Sequence, residues 1–216
     1  MSLSLVIGNK NYSSWSLRPW LFLKHHAIPF DEIRIPLYRD DSKARLLGFS
    51  PSGKVPALLD GEIRVWDSLA ILEYLAERFP ETAGWPEEAA DRATARSLAA
   101  EMHSGFQALR THCGMNCRRP PAGKSLPEPV HRDIARIGQI WRECREHRAG
   151  EGPWLFGRFG IVDCMYAPVA LRFHTYRLEA GLPAQRYMDT VLAHWAIKEW
   201  MKAGRREEEI IAGFED

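Results

Sequence analysis

No stretch of the chain is apolar for anything near the ~18–20 residues that a membrane-spanning helix requires. Residues 1–7 lack the basic head and long apolar body of a secretory signal. Cysteine is scarce. The four, Cys113, Cys117, Cys144 and Cys164, show neither the spacing of a disulfide framework nor a Cys-x-x-Cys pair. These absences predict a cytosolic protein with reduced thiols and no membrane association, and they exclude a dithiol redox centre. An excess of one charge is missing too. Lys plus Arg number 29 and Asp plus Glu 28, a formal net charge of +1, which argues against nucleic acid as a partner. No internal repeat or low-complexity tract occurs, and no His-x-x-x-His pair. Cys113 and Cys117 have no second pair downstream to complete a zinc site, so no metal is expected. What remains is an ordinary globular balance over 216 residues, 45% hydrophobic and 26% charged, with 8 Trp. That length fits one large or two small domains.

Hydropathy patterning divides the chain. Residues 3–7 (LSLVI) read as a buried strand, and Leu17, Trp20, Leu21 and Leu23 recur at helical spacing. Residues 30–35 alternate as a second strand, and Ser42 can cap a short helix. Asp60-Gly61 between two apolar runs signals a hairpin, after which Ser68 can cap a helix carrying Leu69, Leu72, Leu75 and Phe79. The order is βαβαββα. Residues 81–86 (ETAGWP) punctuate the chain as a linker, and beyond them no convincing strand follows. Leu98, Met102, Phe106 and Leu109 make one helix face. Val130, Ile134, Ile137, Trp141 and Cys144 make another, and further helices are predicted near 162–176, 184–194 and 196–206. An α/β half over residues 1–80 thus precedes an all-helical half over 87–216.

Three local signals carry chemistry. The first is Asn11-Tyr12-Ser13-Ser14-Trp15-Ser16-Leu17-Arg18-Pro19, between the first strand and the first helix. Hydroxyls and N–H groups at a helix start favour an anion. Pro19 is tolerated only in a first turn, which predicts Ser16 as the N-cap and leaves Ser13 and Ser14 free in the loop. The second is Lys54-Val55-Pro56 ahead of the hairpin, where a cis Val55–Pro56 bond would present the Val55 backbone to a ligand. The third is Asp67-Ser68 at the next helix start, where free N–H groups can hold a carboxylate. Each signal alone is equally a cap or a turn.

Together, in this order, they resemble the glutathione transferases over nearly the whole chain. Ser13-Ser14-Trp15-Ser16 is similar to the Ser-Ser-Cys-Ser loop of the zeta class and of related bacterial transferases. Gly53-Lys54-Val55-Pro56 matches the family's cis-proline, and Asp67-Ser68 its Glu/Gln-Ser pair. Phe159-Gly160-Ile161-Val162-Asp163 matches its capping box, with Gly160 in place of Ser/Thr. The resemblance implies a thioredoxin-like domain plus a helical bundle, glutathione as co-substrate, a homodimer, and conjugation of small hydrophobic electrophiles. It implies Ser13, with Ser14 second, as the hydroxyl that stabilises the glutathione thiolate. Val55 would pair with the cysteinyl backbone, Asp67 and Ser68 would hold the γ-glutamyl end, and Lys54 is either near the glycyl carboxylate or simply solvated. Tyr12, Trp15, His103 and Arg110 are the candidates on the electrophile side, His103 and Arg110 being equally readable as salt-bridge residues. Two departures stand out. Trp15 replaces the zeta cysteine, which disfavours thiol-transfer chemistry. The zeta arginine that attracts acidic substrates falls at about Thr175, with Arg172 and Arg177 on other faces, which puts glutathione-dependent isomerisation of maleylacetoacetate in question. Asp163 is read as a structural cap, and Glu207, Glu208 and Glu209 as a solvated run.

Overall fold

The structure, a computed structural model, describes residues 3–148 and 150–215. Met1, Ser2, Ala149 and Asp216 lie outside the described residues, so the reading of residues 1–7 is met only from Leu3 onward. The run LSLVI forms β1 (Leu3–Ile7). Its side chains alternate between faces. Leu3, Leu5 and Ile7 enter the main core beneath α1 (Ser14–His25), whereas Val6 joins a smaller cluster with Ile35, Leu46 and Ala57. A strand covered on both faces reads as a continuous apolar run, which is what the sequence displays. β2 (Phe30–Arg34) pairs with β1 in parallel, and α2 (Ser42–Leu47) closes the smaller cluster through Leu46. β3 (Ala57–Asp60) lies antiparallel to β1 and β4 (Ile63–Trp66) antiparallel to β3, giving the order β2-β1-β3-β4. The hairpin turn is Gly61-Glu62, one residue later than Asp60-Gly61, with Gly61 at positive φ. α3 (Ser68–Arg78) returns over the main-core face.

Helices build the remainder: α4 (Ala89–Ser104), α5 (Gln107–His112), α6 (Glu128–His147), α7 (Ile161–Tyr176), α8 (Leu182–Ala193) and α9 (Trp195–Arg205). Only isolated bridges near residues 154–158 interrupt the helical pattern among the described residues. α7 is the central helix, buried at every position but His174. Trp141 of α6 meets Phe173 of α7 and Tyr187 of α8, each at 5.0 Å between ring centroids. α1 packs against α3 on one side and α7 and α9 on others, so it belongs to both halves.

Several local expectations need correction, most of them at helix starts, where neighbouring residues compete for the cap. α1 begins at Ser14, not after Ser16, because Ser13 Oγ accepts the Ser16 amide at 3.3 Å. Pro19 therefore sits inside the helix and offers no N–H to the carbonyl of Trp15. Asp41 precedes α2, while Ser42 Oγ donates to Pro36 O at 2.6 Å and accepts the Arg39 amide. Asp67, not Ser68, caps α3, its Oδ1 accepting the amides of Leu69 and Ala70. The face through Leu98 and Leu109 is split at Gly105, and Phe106 turns left-handed (φ 56°) between α4 and α5. Gly160 caps α7 because Gly84 O lies 3.0 Å from where a Cβ would stand. Buried Asp163 accepts the Gly160 and Leu155 amides at 2.9 and 3.1 Å, a structural role as expected.

α1 and α9 meet in part through His25 and His194, with His26 beside His25. His194 caps α9 by accepting the Ala196 amide at Nδ1, so its proton sits on Nε2 and is donated to His25 Nδ1 at 2.9 Å. Burial, with His26 and His194 alongside, lowers His25 to about 4, and burial lowers His26 and His194 as well. The unfolded chain protonates these rings near pH 6.5 while the folded chain resists, so their contribution to stability is complete above that pH. It is lost as pH falls from 6.5 toward 4. The melting temperature is expected to drop across that interval, with His25 titrating at its low end in a two-dimensional NMR titration. A melting temperature flat from pH 7 to 4.5 would contradict the assignment.

Candidate active site

Three chain turns converge at the C-terminal edge of β1 and the N-termini of α1 and α3. The serine loop is held first. Ser13 N–H bonds Asn9 O at 2.8 Å, and Gly8 N–H bonds Ser16 Oγ at 3.1 Å. Asn9 Oδ1 takes the Leu37 amide, and Asn11 Oδ1 takes the Arg118 amide. The amides of Lys10 and Asn11 are taken by Glu207, at 2.7 and 3.0 Å. Glu207 is thus not solvated; its side chain is 9% exposed and also meets Arg34, as does Glu209. α9 reaches the loop because Gly204 has no side chain, a Cβ there falling 3.0 Å from Asn11 N.

On this frame Ser13 Oγ donates to Ser16 Oγ at 2.8 Å, and Ser14 Oγ accepts from Arg172 Nη2 at 3.2 Å. Trp15 stands between two guanidinium groups, Arg18 at 4.3 Å and Arg110 at 4.8 Å from its rings, with His103 at its edge. Arg18 is fully buried and bonds Ser68 Oγ at 3.1 Å, tying the start of α3 to α1. Burial, then Arg110 and Arg172, lower its pKa well below that of a free arginine; Asp67 opposes them. Arg110 donates to the carbonyls of Gly105, Met102 and His103, capping the end of α4.

Val55 lies ahead of the β3 ladder, whose first pair is Ala57 with Trp66, and the Val55–Pro56 bond is cis. A cavity of about 380 Å³ joins Val55, Pro56, Asp67, Ser68 and exposed Lys54, with Trp15 in its wall. Asp67 uses Oδ1 for its cap and Oδ2 for His103 Nε2 at 3.1 Å. Burial lowers the His103 pKa, with Asp67 acting in the opposite sense. A second cavity of about 660 Å³ shares Trp15, Lys54 and Val55 with the first and reaches Ser13, Ser14, Arg172 and Phe214. Tyr12 lines it, but its hydroxyl is engaged: it accepts from Arg118 at 2.7 Å and donates to Glu215. The sequence-derived candidates line one or other of these adjoining cavities except His103, which lines neither and meets the site through Asp67 and the edge of Trp15.

Models of two domain families match the chain. "Glutathione S-transferase, N-terminal domain" covers residues 12–78, and "Glutathione S-transferase, C-terminal domain" covers residues 127–203. A maleylacetoacetate isomerase of Pseudomonas aeruginosa is 30% identical over 207 residues, 91% of this chain and 94% of that protein. The chain belongs to the glutathione S-transferase family. A probable maleylacetoacetate isomerase of Vibrio cholerae is 32% identical over 185 residues, 82% of this chain and 85% of that protein. Among solved structures, a zeta-class bacterial maleyl pyruvate isomerase aligns with TM-score 0.73 at 18% identity, covering 96% of this chain and all of that one. A transferase homologue from Burkholderia with bound glutathione aligns with TM-score 0.70 at 21% identity, over 96% and 100%.

Within this transferase, sequence reasoning missed Arg18, Arg172 and Glu207. The signal for Arg172 was available: a lone arginine inside a helix otherwise apolar nearly all round. Helix geometry sets it on a face other than that of Thr175, and in the structure it is 5% exposed and touches Ser14. Thr175, the position to which the zeta arginine maps, is buried, with its carbonyl on the Ala122 amide. Burial raises the pKa of all four cysteine thiols, Cys117 and Cys144 to about 12. Because Arg110 serves three carbonyls, Arg110→Ala is expected to destabilise the transferase by about 1–3 kcal/mol in urea unfolding. Arg110→Lys should recover only part, since an ammonium lacks the planar fork.

Proposed function

We propose that this chain is a zeta-like glutathione transferase that holds glutathione as a thiolate and applies it to a small electrophile bearing a carboxylate. The observation that carries the reading is the charge of the cleft. Arg39, Lys43, Lys54, Arg110 and Arg172 line the larger cavity, and no Asp or Glu does among the described residues. A thiolate and an acidic substrate are both anions, and both gain from such a wall.

In this reading residues 1–80 bind glutathione, 81–86 link, and 87–216 supply the electrophile side. The Val55 backbone pairs with the cysteinyl part. Asp67 takes the γ-glutamyl amine, and Ser68 with the α3 N-terminus takes the carboxylate. Lys54 reaches the glycyl carboxylate. A free thiol ionises near 8.5. A serine hydroxyl and the α1 N-terminus must lower that by about one unit or more, at about 1.4 kcal/mol per unit, which one charge-assisted hydrogen bond can supply. Addition of the thiolate to a conjugated cis double bond leaves a rotatable single bond. Expulsion of the same thiolate then gives the trans product and restores glutathione. The likeness to a maleylacetoacetate isomerase supports this use. Conjugation of a hydrophobic electrophile is a second use of the same centre, favoured by Leu37, Leu46 and Phe214 on the wall. Exposed Ile63 and Trp66 on the edge strand β4 support a homodimer, which light scattering would check.

Retention on immobilised glutathione, followed by maleylacetoacetate isomerisation and conjugation assays, tests the reading. Retention with isomerisation supports it, and retention with conjugation alone supports the second use. No retention and no turnover would leave a non-catalytic binding protein of the same fold. Asp67→Asn keeps a good cap but removes the charge, so stability should change by less than about 0.5 kcal/mol. Glutathione affinity, measured by calorimetry, should fall about tenfold or more.

A further inference from the structure

Ser13 and Ser14 are neighbours in the chain, yet they are bonded differently. Ser13 Oγ accepts the Ser16 amide and gives its proton to Ser16 Oγ, so both its capacities close the first turn of α1. Ser14 Oγ accepts from Arg172, and among the described residues its own proton has no acceptor. The hydroxyl lies on the wall of the larger cavity. Arg172 is 5% exposed. Its Nε donates to Cys113 O at 2.8 Å and its Nη1 to Pro168 O at 3.5 Å. No carboxylate pairs with it among the described residues, and the charges it feels are Arg110 and the weakly acidic Cys113 and Tyr176. Burial lowers it only to about 10, so it is a cation at neutral pH. A desolvated positive charge, held by carbonyls and one hydroxyl, stands directly behind Ser14.

We propose that Ser14, oriented and polarised by Arg172, is the hydroxyl that donates to the glutathione sulfur, while Ser13 is the cap of α1. This rests on the reading that the cleft holds glutathione. Resemblance points instead to the first serine of the pair. Arg172 is a positioning residue. Its N–H occupies an Ser14 lone pair, leaves the hydroxyl proton directed outward, and strengthens that proton as a donor. The thiol proton departs to solvent water; Ser14 keeps its own proton and only shares it with sulfur.

The thiol pKa of bound glutathione, read from the ultraviolet absorbance of the thiolate against pH, tests this. Ser14→Ala should raise it by about one unit or more and lower kcat/KM at neutral pH about tenfold. Ser14→Thr should restore most of it. Ser13→Ala should lower the melting temperature without moving the thiol pKa. Arg172→Met should raise the thiol pKa with little change in the KM for glutathione, and Arg172→Lys should recover part. A Ser14→Ala, Arg172→Met double variant should show no further rise. If Arg172→Met does not fold, the serine variants decide alone. A thiol pKa unmoved by Ser14→Ala, or moved by Ser13→Ala, overturns the assignment while the glutathione reading stands. Wild-type protein that binds no glutathione overturns both.

Discussion

The packing of α1 against α7 is the contact on which the rest of the molecule depends. Leu17, Trp20, Leu21, Phe22 and Leu23 are all 2% exposed or less, each contributing up to about 1.5–3 kcal/mol through burial. A helix enclosed by the sheet, α3, α7 and α9 cannot leave its first N–H groups to water. They must be satisfied from within, and the serine loop is the result. The geometry of the cleft and the packing of the core are here one arrangement, since the residues that close the helix start also line the cleft.

That arrangement explains the buried arginines. Arg18 and Arg172 carry charge into a region walled by α1 and α7, where an unpaired ion is costly. Arg172 is held by the carbonyls of Cys113 and Pro168 and the hydroxyl of Ser14, whereas Arg18 has the Ser68 hydroxyl and leaves its Nε without a partner among the described residues. Trp15 adds its face to Arg18 and Arg110. The near-neutral net charge of the chain therefore conceals a strongly positive interior cleft, offset only in part by Asp67 and Asp133.

Much of this was legible in the sequence. The strands and most long helices follow from apolar runs and apolar periodicity, because burial is repeated along each element and a one-residue error changes little; the break between α4 and α5 does not. The motifs Ser13-Ser14, Val55-Pro56 and Asp67-Ser68 sit in the cleft because local chain geometry places them there. Helix starts were misplaced at Ser16, Ser42 and Ser68, since several hydroxyls and a carboxylate compete within three residues and tertiary partners choose among them. The partners of Arg18, Arg172 and Glu207 were illegible for a stronger reason, although the lone arginine in an apolar helix marks Arg172 itself. Those partners lie 50, 158 and 196 residues away, at separations where no local pattern speaks.

Glu207 has a consequence for how the molecule is made. The amides of Lys10 and Asn11 leave the ribosome well before the carboxylate that receives them, which follows nearly two hundred residues later. The serine loop therefore stays incomplete until α9 has emerged and docked. Its geometry is set by the chain through α9, and residues 1–80 alone lack the carboxylate that closes it.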